Sequence, residues 1–246
     1  MHFATALRSS TGARDKNQDA ADHVARPGLD GWVLADGLGG YPGGGLASSL
    51  ATEALLEACA ERGEASGATI VAAAQAAQEC IHARQQRVPK YGGMRTTFVL
   101  LLADRDAGTA CWGHAGDSRL YHFRDGAIAH RTTDHSVVQA LVDAGEIDPA
   151  DQRDHDAAHR ILCALGDAGD ASPEVRGAPV SLQPGDAFLL CSDGFWEGVV
   201  EDTMRALLAD ADTPGDWLDA MAAHIEQTAD AEQDNFTAVA VFVAES

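Results

Sequence analysis

TFVLLLADRDAGTACWGHAGDSRLYHFR, residues 97–124, holds three β-type runs at 97–103, 109–115 and 119–124, separated by only a few residues each. Connections this short allow hairpins and no crossover helix, so the three runs form an antiparallel meander. Outward from it, further β-type runs stand at 2–8, 32–35, 186–191 and 236–243. An Ala-, Leu-, Glu- and Gln-rich stretch at roughly 45–87, broken by GEASGA (63–68), predicts two helices. Another helical patch follows at 136–147, and a charged stretch at 148–160 interrupts the pattern, which predicts a mobile surface flap at about 145–165. Helical periodicity returns at 201–209 and 214–228, with Asp202 and Thr213 as expected N-caps and Pro214 in a first turn. No repeat or linker divides the chain, so the order predicts one layered α+β domain over 1–246, its antiparallel sheets covered by helices.

The 246 residues are 46% hydrophobic and 22% charged, enough to bury a sizeable core. Seventeen Lys and Arg against 38 Asp and Glu give a net charge of −21, which repels phosphate backbones and anionic membranes at long range. A nucleic-acid or membrane partner is therefore not expected. Five scattered cysteines, an odd number with no C-x-x-C pair, predict free thiols in a reducing, cytoplasmic compartment. The N-terminal stretch has no signal-peptide core, and the longest apolar runs fall far short of the roughly 20 residues a spanning helix needs.

Chemistry shows in a recurrent arrangement, an apolar strand running into an Asp-bearing turn. LADGLGG (34–40), HAGDSR (114–119), CSDGFW (191–196) and EQDNF (232–236) share it, and RDKNQD (14–19) adds another Asp beside a strand. One Asp-Gly after a strand is ordinary turn chemistry. Several that converge would repel one another unless a cation sits among them. With oxygen donors only and no His or Cys cluster at zinc spacing, that cation is hard, Mg²⁺ or Mn²⁺. His114 and His135 lie near these turns, but an isolated His is usually structural. Two such ions sharing an Asp can ionise a water and polarise a phosphoryl oxygen, which points to phosphate hydrolysis. Arg14, five residues before Asp19, offers a bidentate grip for the phosphate.

Together the motifs resemble the metal-dependent serine/threonine protein phosphatases of the PPM, or PP2C, family, in its compact bacterial form. The resemblance runs through TGARDKNQDA (11–20), VLADGLGGYPGGGLAS (33–48), RTTFVLLLA (95–103), WGHAGDSRLYHFRDG (112–126), TTDHSVVQALVDAGEI (132–147), LQPGDAFLLCSDGFWEGV (182–199) and DNFTAVAV (234–241). It implies a four-layer α-β-β-α sandwich of two antiparallel sheets flanked by helices, with a two-metal cleft at one edge. It implies that Asp36 bridges both metals, Gly37 offers its carbonyl, Asp193 and Asp234 hold the first ion, and Asp19 supports the second. Asp117 takes the place that helps bind a third, weaker ion, Asn235 orients its neighbouring carboxylate, and Arg14 binds the substrate phosphate. The flap would lie beside the cleft, and a monomer is expected.

The chain departs from the family pattern at several points. Animal relatives place His after the Asp-Gly as a general acid, whereas Leu38 stands here, so leaving-group protonation falls to another group such as a metal-bound water. Gln18 replaces an acidic residue, and Gly-Thr-Thr becomes Arg95-Thr96-Thr97. The usual Gly-Gly-His is Gly39-Gly40-Tyr41, a phenol at the expected cleft rim. None of these removes a proposed ligand. The expected function is hydrolysis of phosphoserine and phosphothreonine in proteins, opposing a cytoplasmic Ser/Thr kinase. The alternatives are a non-catalytic phosphoprotein-binding module, which predicts gaps among Asp36, Asp193 and Asp234 where there are none, and another two-metal hydrolase such as a phosphodiesterase.

Overall fold

The strands are β1 (His2–Ser10), β2 (Asp19–Arg26), β3 (Leu29–Asp36), β4 (Phe98–Asp104), β5 (Thr109–Ala115), β6 (Arg119–Arg124), β7 (Ala127–Arg131), β8 (Glu174–Val175), β9 (Val180–Ser181), β10 (Ala187–Cys191) and β11 (Phe236–Ala244). In the computed structural model they sort into two antiparallel sheets, ordered β1-β11-β10-β6-β7 and β2-β3-β4-β5-β8, with β9 also pairing β5. The helices are α1 (Gly44–Arg62), α2 (Gly67–Arg87), α3 (Val137–Asp143), α4 (Asp193–Gly198), α5 (Glu201–Ala209) and α6 (Pro214–Thr228). The structure describes residues 1–39, 42–153, 155–176, 178–228 and 232–245.

Stacking of the sheets explains why the central strands read as solid apolar runs. On β4, Phe98, Leu100 and Leu102 pack with α1 and α2, while Val99, Leu101 and Ala103 face the other sheet. On β11, Ala238 and Ala240 pack toward α4, α5 and α6, while Val239 and Val241 enter the inter-sheet layer beside Trp32, Trp112 and Phe188. Period-2 strands covered on both sides need apolar residues at every position. The result is the expected four-layer α-β-β-α sandwich, but the expected three-stranded meander is split: β4 and β5 form a hairpin in one sheet, whereas β6 crosses to the other sheet and pairs β7 and β10, because the Gly116–Asp117 turn carries the chain from one sheet to the other.

Local signals fix most boundaries. Ser66 caps α2, its Oγ accepting from the Thr69 amide at 3.1 Å, and Gly63 closes α1 in the left-handed conformation. Thr213 caps α6 as expected, its Oγ1 accepting from the Asp216 amide at 3.1 Å. Asp202 does not cap α5. That helix begins at Glu201 with Val200 at the cap, so Asp202 lies in the first turn, where its charge still suits the helix dipole. The helix expected over 136–147 stops at Asp143, and Gly145 turns the chain away with φ 71°. All five cysteines are free thiols, and no helix among the described residues is long and apolar enough to cross a membrane.

The stretch expected to be a flap is irregular apart from a short turn at Pro149–Asp151, and Asp154 lies outside the described residues. It is strapped to the body. Gln152, buried, donates to Asp134 Oδ2 and Gln139 Oε1, both at 3.3 Å, and Arg153 donates to the Trp196 carbonyl and to Glu201 Oε2 at 2.8 Å. Behind the strap, Arg119 and Asp134 form a bidentate pair at 2.7 and 2.8 Å with both side chains 2% exposed. The Arg119 guanidinium also stacks 3.4 Å above the Trp196 ring. Asp134→Ala is expected to strip a buried cation of its partner and to lower stability by about 3–5 kcal/mol in urea unfolding. The double variant Arg119→Met/Asp134→Leu should recover most of that loss, because no unpaired charge remains.

Candidate metal and active site

Each sequence-predicted Asp sits where a strand meets a turn. Asp19 opens β2 and Asp36 closes β3, directly opposite in the antiparallel register. Asp117 lies in the turn between β5 and β6, Asp193 heads α4 just after β10, and Asp234 precedes β11. All five therefore arrive at one end of the sandwich from both sheets.

The backbone at Asp36 is pinned from three sides. Its amide donates to Thr97 Oγ1 at 3.0 Å, and its carbonyl accepts from Thr96 Oγ1 at 2.7 Å and the Thr97 amide at 2.9 Å. The Arg95-Thr96-Thr97 stretch is thus a clamp on the Asp-Gly turn, a role the sequence analysis did not assign. Gly37 donates to the Gln18 carbonyl at 3.1 Å, and a Cβ there would come within 2.3 Å of the Gly44 backbone, so only glycine fits. Gly116, at φ 105°, likewise lies against Thr97, where a Cβ would meet Cγ2 at 2.5 Å.

A second set of supports was also missed. Ser192 Oγ donates to Asp19 Oδ2 at 3.0 Å and accepts from the Thr237 amide at 3.0 Å. The Trp196 indole donates to the Asp117 carbonyl at 2.9 Å. A serine just before the Asp-Gly and a tryptophan three residues after it were the available signals. Asn235 meets its neighbour's carboxylate through the backbone, its main-chain amide donating to Asp234 Oδ1 at 2.7 Å, while its side chain turns elsewhere. Its Oδ1 accepts from the Gln18 amide at 2.8 Å, and its Nδ2 donates to the Thr11 and Lys16 carbonyls at 2.8 and 3.0 Å. Asn235 therefore folds the 11–18 loop over the site.

Asp36, Gly37, Asp193, Asp234 and Arg14 line one cleft of about 870 Å³, with Asp19 and Asp117 set behind it. The flap segment contributes His159, Arg160 and Ile161 to the wall, as its expected position beside the cleft requires. Leu38 lines the same cleft where animal relatives carry His. Gly40 and Tyr41 lie outside the described residues.

The carboxylates crowd one another. Burial, then the charges of Asp193, Asp19 and Asp117, raises the Asp36 carboxyl well above the ordinary range. Burial, then Asp193, does the same at Asp117, and Asp193 is itself raised by burial with Asp234's charge adding. Asp19 is pushed up to about 6, first by burial and then by Asp193, against hydrogen bonds that favour its charge. Glu197, absent from the sequence-predicted set, is pushed up to about 8 by burial and Asp193, and its Oε1 stands 3.6 Å from His159 Nδ1. Asp19 Oδ1 and Asp117 Oδ1 are buried with no hydrogen-bond partner among the described residues. Converging carboxylates with orphaned buried oxygens and an oxygen-only donor set fit hard divalent cations, Mg²⁺ or Mn²⁺.

Arg14 is held differently from a free phosphate clamp. Its Nε and Nη2 donate to Asp234 Oδ1 and Oδ2 at 3.0 and 2.9 Å. Both side chains are about half exposed, 56% and 46%, so the pair sits at the cleft mouth and exchanges readily for stronger partners.

An antiparallel sandwich bearing a carboxylate-lined cation cleft defines a class of metal-dependent hydrolases, and the comparisons narrow it. The sequence model of the Protein phosphatase 2C family matches residues 8–236, and the chain belongs to that family. It is 36% identical over 209 residues to the serine/threonine protein phosphatase PstP of Mycobacterium tuberculosis, covering 82% of this chain but only 38% of that relative's length. It is 31% identical to the serine/threonine phosphatase stp of Listeria monocytogenes, covering 72% of this chain and 70% of that one. The structure of the PstP catalytic domain in complex with two manganese ions superposes with a TM-score of 0.81 at 30% identity, over 99% of both chains.

Without a cation the cluster opposes folding. A proton binds folded Asp19, at about 6, more tightly than it binds an unfolded Asp. This stabilisation is full below the unfolded value and is lost as pH rises through about 6. EDTA-treated protein is therefore expected to melt higher at about pH 5 than at about pH 7, with the order reversed by excess Mn²⁺. Asp36→Asn should raise the metal-free Tm by a few degrees, about 2–4 °C per kcal/mol of repulsion relieved, and reduce the Mn²⁺-dependent rise, both read by differential scanning fluorimetry.

Proposed function

We propose that the chain is a protein serine/threonine phosphatase that hydrolyses phosphoserine and phosphothreonine in proteins, opposing a cytoplasmic Ser/Thr kinase. The observation that carries this reading is the crowding of Asp19, Asp36, Asp117 and Asp193, two of them with orphaned oxygens, around a cleft edged by cationic side chains. Similarity to PstP and stp, named as serine/threonine phosphatases, supports the substrate class.

In this reading Asp36, the Gly37 carbonyl, Asp193 and Asp234 would hold one divalent cation, and Asp36 with Asp19 would support a second. Asp117 belongs to a third, weaker position. Bound Mn²⁺ or Mg²⁺ supplies Lewis-acid charge for the phosphoryl oxygens and renders water acidic enough to attack near neutral pH. The protein holds Asp36 and Asp19 in place before substrate arrives, through the Thr96–Thr97 clamp and the Ser192 bond. Arg14, whose fork rests on Asp234, would offer the same two N–H donors to two phosphoryl oxygens, a geometry that guanidinium matches and ammonium does not. Lys16 and Arg160 line the same cleft and draw an anionic substrate into a molecule whose net charge is −21. Leu38 has no ionisable proton, so it takes no part in leaving-group protonation.

Phosphate release from a phosphothreonine peptide tests the proposal. Release is expected with Mn²⁺ or Mg²⁺, is abolished by excess EDTA, and falls by about 100-fold or more in Asp193→Asn, since even groups behind a metal ligand cost roughly 10–100-fold. Folded protein that releases nothing with either cation would instead support a phosphoprotein-binding module. Arg14→Ala is expected to raise KM about 10-fold with kcat little changed, the pattern of a group that binds ground and transition states alike.

A further inference from the structure

Two histidines left aside by the phosphatase chemistry meet a carboxylate outside the lining of the cleft. His114, on β5, stands directly opposite Glu174 of β8 in the antiparallel register. The His135 ring stacks on His114 with centroids 4.5 Å apart, and its Nε2 lies 3.6 Å from Glu174 Oε2. One donor atom from each of the three lies within 4.8 Å of the others. We infer that His114, His135 and Glu174 form a binding site for a borderline-soft divalent cation of the Zn²⁺ class, separate from the carboxylate cleft, with water as a fourth ligand.

The donor chemistry separates this site from the first. Two imidazoles and one carboxylate suit Zn²⁺, whereas the cleft's oxygen-only set suits Mg²⁺ or Mn²⁺. His114 is 2% exposed, and its Nε2 donates to the Thr133 carbonyl at 2.7 Å. That bond fixes the tautomer and leaves Nδ1 an unprotonated lone pair with no hydrogen bond among the described residues, the second-sphere pattern of ligating histidines. Burial also lowers the pKa of His114, which keeps the ring in its neutral, ligating form. The 3.6 Å between His135 and Glu174 is too long for a charge-assisted hydrogen bond and close to the ~3.3 Å edge of a tetrahedron with ~2.0 Å bonds. Among the described residues no Lys or Arg pairs with Glu174. Ligation requires the partly exposed His135 ring to turn, giving up a 3.3 Å contact from the Gly116 amide to its Nδ1.

The site's place gives it a consequence. His135 donates through its backbone to the Gly116 carbonyl at 2.9 Å and accepts from the Leu162 amide at 2.7 Å. An ion there ties β5, β8 and the segment before α3 together at the root of the flap stretch.

The test is Zn²⁺ titration by calorimetry of the full chain in excess Mn²⁺, with Co²⁺ substitution to read coordination from its visible absorption. One Zn²⁺ per chain that Mn²⁺ does not displace, with tetrahedral Co²⁺ bands, is expected. Binding should disappear in His135→Ala, weaken about tenfold or more in Glu174→Gln, and persist in Asp36→Asn. Both ligand variants are on partly exposed side chains, so circular dichroism should report an unchanged fold. Absence of Zn²⁺ uptake, uptake unaffected by His135→Ala, or uptake lost in Asp36→Asn or His159→Ala would overturn the inference, the last two placing the ion in the cleft. None of these readouts requires phosphatase activity.

Discussion

Mutual repulsion of carboxylates at one end of the sandwich is the constraint around which the rest of the molecule is organised. Asp36 feels Asp193, Asp19 and Asp117 at once, and each of these is raised above its ordinary pKa by burial and neighbours. Free chain ends would simply separate. Here Asp19 and Asp36 are locked by the β2–β3 register, and Asp193 and Asp234 by β10 and β11 of the other sheet. Their spacing is therefore set by how the sheets stack. The inter-sheet layer of Trp32, Leu34, Val99, Trp112, Phe188 and Val239 fixes that stacking, because a close-packed interior resists the small displacements that would relieve the charge. Apolar packing in the middle thus holds the electrostatic strain at the edge, and a cation turns that strain into binding energy.

Charge distribution follows the same logic. A net charge of −21 repels anions at long range, so attraction of an anion to the cleft must be local. Arg14, Lys16 and Arg160 supply it at the cleft, and Arg14 rests meanwhile on Asp234. Two half-exposed partners give a weak pair, which keeps an arginine poised beside the site without committing it. A buried pair such as Arg119–Asp134 could not serve this way. It is structural because breaking it strands a charge.

The architecture was legible because both faces of each central strand are buried: FVLLLA and the short spacing to 109–115 leave little alternative to the antiparallel β4–β5 hairpin, whereas the equally short step to 119–124 hid a crossing between sheets. Elements at the rim were harder to read. β2 (DAADHVAR) is an edge strand with polar residues on its exposed positions, and α4 begins within CSDGFW, where Asp-Gly reads as a turn. The Asp residues themselves stood out by their recurrence after strands. Their supports did not, since Thr96, Thr97 and Ser192 act through single hydroxyl–backbone or hydroxyl–carboxylate bonds that any Ser or Thr could make. The same holds for Asn235, whose partners lie more than 200 positions away in sequence. Asp202 shows the converse: a good capping residue is displaced by one position when tertiary packing decides where the helix begins.

The cleft and the flap stretch are not independent parts. Trp196 donates to the Asp117 carbonyl and lies under the Arg119 guanidinium, which is paired with Asp134. Asp134 accepts from Gln152, and Arg153 reaches back to Trp196 and Glu201. The contacts close within a few residues, so lifting the flap stretch at 152–153 would break the Gln152 bond to Asp134 and the Arg153 bonds to Trp196 and Glu201, which brace the buried pair beside the Asp117 turn. On its other flank Leu162 and Leu165 bond to His135 and Thr96, the latter within the Asp36 clamp. The stretch between, carrying His159, Arg160 and Ile161 over the cleft, is therefore a bridge between two anchors, each of which also positions a carboxylate. The wall of the cleft and the spacing of its carboxylates thus depend on the same few anchoring bonds.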